Sequence, residues 1–376
     1  MSETYFDHTA IADLPYPTPF FLFSKKRIID VYNEFVEAFP GAVIHYAMKA
    51  NAEPELLRLL YENGSNFEVA SKYELEFLQA LSIPADRIIY GTSVKPISHI
   101  KAFHSYGVDI FAADSAAELE KIAAAAPGAR IYIRMITDDA ASVFKFSEKF
   151  GTQKEMIVPL LLHARSLGLR PYGISFNVGS QSGDTTAWKR AIVELVPIME
   201  ALTKEGITIE ILDIGGGFPC QYASSTIVPK IKEIAEEIKK GCAELPYIPK
   251  LFLEPGRKIV AESGIVVASV IARVERKTST WLFLDAGVYN GLFETMAYQG
   301  STRYPITSMG STHGTGEMMF AVAGPTGDSP DIVTREVLLP SDITVGDKVM
   351  IHNVGAYSLV ATCPFNGFPK PDVYFI

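Results

Sequence analysis

Between residues 42 and 254, short apolar runs alternate with longer segments in which apolar residues return every three or four positions. The runs Ala42–Ala47, Asn66–Ala70, Arg87–Tyr90, Asp109–Ala113, Ala129–Met135, Tyr172–Asn177, Glu210–Ile214 and Lys250–Glu254 have the length and β-compatible composition of strands. The periodic segments Pro54–Asn63, Lys72–Leu81, Ser115–Ala126, Gln153–Leu167, Thr186–Lys204 and Val228–Cys242 read as helices. Eight β-then-α units in one stretch are the arithmetic of a (β/α)8 TIM barrel, an α/β fold whose functional groups sit at the C-terminal ends of the strands.

After Glu254 the pattern changes. Val260–Val274 alternates and is β-branched, Trp281–Asp285 is a further strand candidate, and Gly, Pro and Thr punctuate the chain to Phe375 without a long helical stretch. A second, C-terminal, mostly-β domain is expected. The division implied is residues 20–255 for the barrel and 256–376 for the β domain, with residues 1–19 joining the latter.

Composition removes several function classes. The 376 residues, 48% hydrophobic, can bury a large core, and a net charge of −9 argues against nucleic-acid or anionic-membrane partners. Cys220, Cys242 and Cys363 are too few and too scattered for a disulfide framework or a cysteine-based metal site, so no metal is expected. No basic segment followed by an apolar stretch precedes Pro19, and no uninterrupted apolar run of about 18 residues occurs, so a cytoplasmic location is expected.

The strand ends carry the chemistry. Lys49 closes the run His45-Tyr46-Ala47-Met48-Lys49, where an unpaired ammonium in a low-dielectric site costs several kcal/mol. Burial that lowers its pKa would suit an imine link to a carbonyl cofactor; a lysine that snorkels to solvent is the plainer alternative. The seventh run leads into Asp213-Ile214-Gly215-Gly216-Gly217-Phe218-Pro219, whose glycines let backbone amides approach an anion such as phosphate. The sixth ends in Ser175-Phe176-Asn177-Val178-Gly179-Ser180, adding a hydroxyl at the neighbouring rim. The eighth ends in Glu254-Pro255-Gly256-Arg257, a carboxylate and a guanidinium for which a structural ion pair is the alternative. Together these are the parts that hold pyridoxal 5'-phosphate. Lys49 would link it, Gly215 to Gly217 with Ser180 would hold its phosphate, and Glu254 would pair with the pyridine nitrogen, a contact worth on the order of 3 kcal/mol to the rate.

Through these motifs the chain resembles the fold-type III, PLP-dependent amino-acid decarboxylases of ornithine, lysine, diaminopimelate and arginine, with an alanine-racemase-like barrel. It is most similar to the ornithine/lysine branch. The resemblance runs in order through Phe67-Glu68-Val69-Ala70-Ser71, Asp285 to Glu294, Gly324-Pro325-Thr326-Gly327-Asp328-Ser329, Gly355-Ala356-Tyr357 and Phe365-Asn366-Gly367-Phe368. It implies Lys49 and Glu254 as catalytic residues. It implies a cofactor site of Lys49, Glu68, Arg134, Asn177, Ser180, Gly215, Gly216, Gly217, Glu254, Gly256, Arg257 and Tyr357, braced by Glu74, with Glu68 replacing the aspartate usual in the ornithine branch. Gln299, Arg303, Asp328 and Phe365 fall at substrate-binding positions. A homodimer with active sites at the interface is implied, the loop Gly324 to Ser329 entering the partner's site.

Three features depart from the family pattern. Gly327 stands where the family has the cysteine that returns a proton to Cα after carbon dioxide leaves. Asn177 replaces a histidine that stacks on the cofactor ring. The stretch Thr295 to Arg303 carries none of the acidic residues that grip a distal amine. The reading is therefore decarboxylation of an amino acid or amino-acid conjugate with altered protonation and an amine or aldehyde product. An amino-acid racemase and a non-catalytic regulatory homologue are the alternatives. Cys363 is a candidate relocated proton donor, although a buried small hydrophobe is the expected role.

Overall fold

The computed structural model describes residues 5–225, 228–297, 302–310 and 316–376. The chain divides into two compact units, Val31–Pro219 with Ile227–Gly256, and Met1–Asp30 with Cys220–Thr226 and Arg257–Ile376.

In the first unit the strands Val43–Ala47, Asn66–Val69, Ile88–Tyr90, Ile110–Ala113, Arg130–Met135, Arg170–Phe176, Ile211–Asp213 and Lys250–Leu253 pair in parallel. Phe252 then pairs with Val43 and closes the barrel. All eight correspond to the apolar runs of the sequence. Ile89, Ile110, Ala112, Tyr132, Tyr172, Ile211 and Phe252, with Val43, form a cluster drawn from seven of the strands, so the barrel is filled rather than open. At Gly173 the sixth and seventh strands approach so closely that a Cβ would lie 2.6 Å from the Ile211 carbonyl oxygen.

The helices differ from expectation in detail. Thr186–Lys204 is two helices, Ala187–Val193 and Val196–Lys204, because Pro197 lacks the N–H needed to continue the first. Helices Lys25–Ala38 and Ile97–Tyr106 were not legible from periodicity. Helices Lys72–Ala80 and Ala116–Ala125 start at serine caps, Ser71 and Ser115, each accepting from the glutamate N–H three residues on. Ser142–Phe144 and Ser180–Ser182 form a small antiparallel ribbon.

The second unit is mostly β. Its sheet runs Ile306–Ser308, Lys348–His352, Gly264–Glu275, Thr280–Leu284, Glu317–Ala323, Ile332–Pro340. Phe20–Phe23, placed with the barrel by the sequence reading, pairs here instead, antiparallel to Gly264–Val267 and parallel to Asp372–Phe375. Four fully buried side chains in a row need cover on both faces, and Phe20 and Leu22 find it against Phe6, Ile11, Ile265, Val267 and Met350. Among the described residues no helix is long and apolar enough to cross a membrane.

Candidate active site

The first barrel strand ends in a tight turn that aims Lys49. Ala47 donates its N–H to the Pro255 carbonyl (3.1 Å), and the single 3-10 turn Met48–Ala50 is closed by Asn51 N–H on the Met48 carbonyl at 3.0 Å. Gly256 permits this, since a Cβ there would lie 3.0 Å from the Ala50 methyl and 3.1 Å from the Ala47 oxygen. The lysine side chain is 47% exposed, so of the two readings left open by the sequence, burial or reach toward solvent, the structure has the second, with the ammonium paired at the rim. Its Nζ donates to Glu68 Oε2 at 2.9 Å, and Glu68 is itself buried at the end of the second strand.

Three further carboxyls surround this pair. Asp213, fully buried at the end of the seventh strand, accepts from Gly215 N–H at 2.9 Å through Oδ1, while its buried Oδ2 meets no N–H donor and the carboxyl is hydrogen-bonded instead to the side chain of Glu254. Burial and then the neighbouring Asp213 and Glu68 hold Glu254 well above the usual carboxylate range, against the opposing pull of Lys49. Burial also raises Asp213 to about 6, opposed by the Gly215 amide, with Glu68 adding repulsion and Arg134 relieving it. Glu74 is pushed up to about 7 by burial, although Ala70 N–H donates to its Oε2 at 2.7 Å. The cup therefore favours a bound cation or a bound proton. An acid whose pKa is higher folded than unfolded keeps in the native state a proton that the unfolded chain releases, so its contribution is full below the unfolded value and falls as pH rises through the folded one. For Asp213 the window is 3.8 to about 6, and for Glu74 4.5 to about 7. Urea unfolding of the cofactor-free chain is expected to show stability falling across this range, with a shallower fall in Asp213→Asn. An unchanged slope in the variant would remove Asp213 from the account.

The glycine run is bare because backbone lies against it. Gly215 and Gly217 have φ of 67° and 94°, and a Cβ on Gly216 would lie 2.7 Å from the Glu254 oxygen. A Cβ on Gly217 would press on the Gly179 oxygen and lie 3.1 Å from Val178 Cγ2. Ser182 N–H donates to the Gly217 oxygen (3.0 Å) and Gly179 N–H to Asn177 Oδ1 (2.9 Å), so Asn177 orients the loop that carries the buried Ser180. Such a cradle, a lysine at the rim and the buried Glu254 carboxyl fit pyridoxal phosphate.

The remaining residues lie in the second unit. Arg257 is buried and bidentate to Glu294 (2.6 and 2.7 Å), donates to the Tyr222 hydroxyl (2.9 Å) and lies over the Tyr357 ring at 4.5 Å. Glu294, which holds it, was not singled out from sequence. Asp328 accepts from the Tyr289 hydroxyl, Tyr289 stacks on Phe365 at 4.4 Å, and Gly327 N–H donates to Asn366 Oδ1 at 3.2 Å. Arg303 lines an open cavity of about 590 Å³ with Thr295, Thr302, Ser329 and Arg335. Gln299 lies outside the described residues. Cys363 is exposed, which corrects the expected buried role.

A closed parallel barrel with a lysine, a glycine cradle and an acidic partner at its strand ends defines the barrel-type pyridoxal phosphate enzymes. Residues 25–261 match the family of pyridoxal-dependent decarboxylases over their pyridoxal binding domain, and the chain belongs to this family. It is 34% identical over 352 residues to the lysine/ornithine decarboxylase of Selenomonas ruminantium, covering 94% of this chain and 88% of that one. It is 31% identical to antizyme inhibitor 2 of Xenopus laevis, covering 95% and 80%. The structure of lysine/ornithine decarboxylase from Vibrio vulnificus complexed with putrescine superposes with a TM-score of 0.89 at 30% identity, over 100% of this chain and 99% of that chain. The protein is a PLP-dependent carboxy-lyase, and pyridoxal phosphate is its cofactor.

Proposed function

We propose that this carboxy-lyase acts on an amino acid or amino-acid conjugate whose distal end is not a free amine gripped by carboxylates, working as a cytoplasmic homodimer. The observation that carries the catalytic reading is the Lys49–Glu68 pair at 2.9 Å within a cup that also holds Asp213 and Glu254. When bound, pyridoxal phosphate supplies the electron sink for the pair released with carbon dioxide. Lys49 would hold the cofactor aldehyde and hold or release a proton at its Nζ, the Gly215–Gly217 amides with Ser180 would hold its phosphate, and Glu254 would pair with its ring nitrogen. In the second unit Arg257 is kept in place by Glu294. The altered distal end is supported by Asp328, whose carboxylate already accepts from Tyr289, and by Arg303 in a stretch that lacks acidic residues.

Gly327 has no proton to return to Cα: a proton returned there by water, Lys49 or another group would give the amine, whereas a proton returned to the cofactor instead would give an aldehyde after hydrolysis, with the amino group left on the cofactor. Single turnover of the holoenzyme with L- and D-amino acids and their acyl conjugates, recording carbon dioxide, amine and aldehyde together, tests this. Carbon dioxide is expected from a substrate with a neutral or anionic distal group and not from ornithine or lysine. Turnover of ornithine at least equal to that of every conjugate would sink the substrate assignment. The missing thiol at Gly327, with the likeness to an antizyme inhibitor, favours a second reading as a non-catalytic regulator. That reading requires no carbon dioxide from any substrate, as does a racemase.

A further inference from the structure

The third barrel strand, Ile88–Tyr90, is followed by Gly91, which donates its N–H to the Val69 oxygen at 3.3 Å beside Glu68. A Cβ on Gly91 would lie 2.6 Å from Glu68 Cγ and 2.8 Å from Cδ, with Oε1 nearer still. Real Cβ atoms do not approach other atoms so closely, and the contacts run from the Glu68 stem at Cγ through to its carboxyl group. Glu68 is only 2% exposed, so relieving the contact means repacking it among its neighbours rather than swinging it out to solvent. Gly91 is not among the glycines with positive φ, so an alanine would suffer no backbone strain there. The position is bare for room alone.

We propose that Gly91 is a positioning residue for the cofactor lysine: its missing side chain forms the notch through which Glu68 folds to place Oε2 on Lys49 Nζ. Glutamate is one methylene longer than aspartate. From the same strand end its carboxylate reaches the lysine only if the extra carbon has somewhere to go. Gly91 supplies that space, and Glu68 and Gly91 therefore act as one unit. The inference rests on Lys49 as the cofactor-bearing residue only for its consequence in catalysis; the notch itself concerns Glu68 and the lysine charge.

The test is a double-mutant cycle of Gly91→Ala and Glu68→Asp in the full chain. The pH midpoint of Lys49 acetylation by acetic anhydride, followed by peptide mass spectrometry on the cofactor-stripped protein, reads the lysine charge directly. The affinity for pyridoxal phosphate, followed by its absorbance in the holoenzyme, reads the consequence. With Glu68 present, Gly91→Ala is expected to lower the acetylation midpoint, since an ammonium that loses its anion gives up its proton more easily, and to weaken cofactor binding about tenfold, as overpacking does. In the Glu68→Asp background, the same alanine is expected to change both by less than about twofold, because two of the three crowding atoms, Cδ and Oε1, are gone and the shorter acid turns about its Cα–Cβ bond to clear the third. If Gly91→Ala alone does not fold and the double variant does, the rescue supports the notch. Equal effects of the alanine in both backgrounds, or none in either, would overturn it. Failure of the wild-type chain to bind pyridoxal phosphate would remove the functional reading while leaving the acetylation cycle to decide the notch.

Discussion

Lys49→Ala is expected to leave a folded protein that no longer captures pyridoxal phosphate covalently and turns over at least roughly 10²–10⁴-fold more slowly, the range for losing a positioned proton-transfer group. Folding should survive because the side chain is half exposed, whereas Glu68 behind it is buried. Removing the ammonium leaves Glu68, Glu74, Asp213 and Glu254 without the cation that lowers Glu74 and Glu254, so these two should titrate higher still. Borohydride reduction followed by peptide mapping checks the covalent link, and carbon dioxide release checks the rate. Wild-type turnover in the variant would refute the mechanism.

Lys95→Met is expected to destabilise the barrel by about 3–5 kcal/mol, the usual cost of removing one partner from a buried ion pair. The Lys95 side chain is wholly buried. Its Nζ donates to the Thr92, Ser93 and Ala112 oxygens at 2.9, 3.2 and 2.6 Å and lies 3.1 Å from Glu118 Oε1. Methionine matches the volume and satisfies none of these acceptors. Lys121, 2.6 Å from the other oxygen of Glu118, keeps that carboxylate paired, so much of the loss comes from the three carbonyl oxygens left without a donor. Burial lowers the Lys95 pKa to about 8, with Glu118 opposing, so the ammonium persists at neutral pH. Urea unfolding at pH 7 measures the difference, and a loss under about 1 kcal/mol would show that water replaces the ammonium.

The barrel was legible because parallel strands covered on both faces read as short apolar runs, and all eight runs became strands. The same signature misplaced Phe20–Phe23. Nothing local distinguishes a buried strand that pairs with Asn66 from one that pairs with Val266, and only the tertiary pairing does. In the site, Lys49, the glycine run and Glu254 could be read because each belongs to a contiguous motif at a strand end. Asp213 was quoted within its motif but given no role, since its importance lies in a neighbouring carboxylate from another strand. Lys95, Glu294 and Gly91 act through residues between 23 and 37 positions away, beyond the reach of any local pattern. The Lys49 environment was not legible for a related reason. A strand-end lysine reads as either buried or reaching to solvent, and nothing local shows that Glu68, nineteen residues on, supplies its counter-ion.

The clearance at Gly91 also constrains history. Where the ornithine branch usually has aspartate, a change to glutamate in a chain already carrying a side chain at position 91 would have met that Cβ at once. An ancestor with the shorter acid could acquire Gly91 first, at the cost of a small void, and then lengthen the acid. The reverse route passes through an intermediate with two side chains in one space. On the notch proposal the order with glycine first is the easier one, and returning Gly91 to a larger residue carries a cost for as long as Glu68 remains.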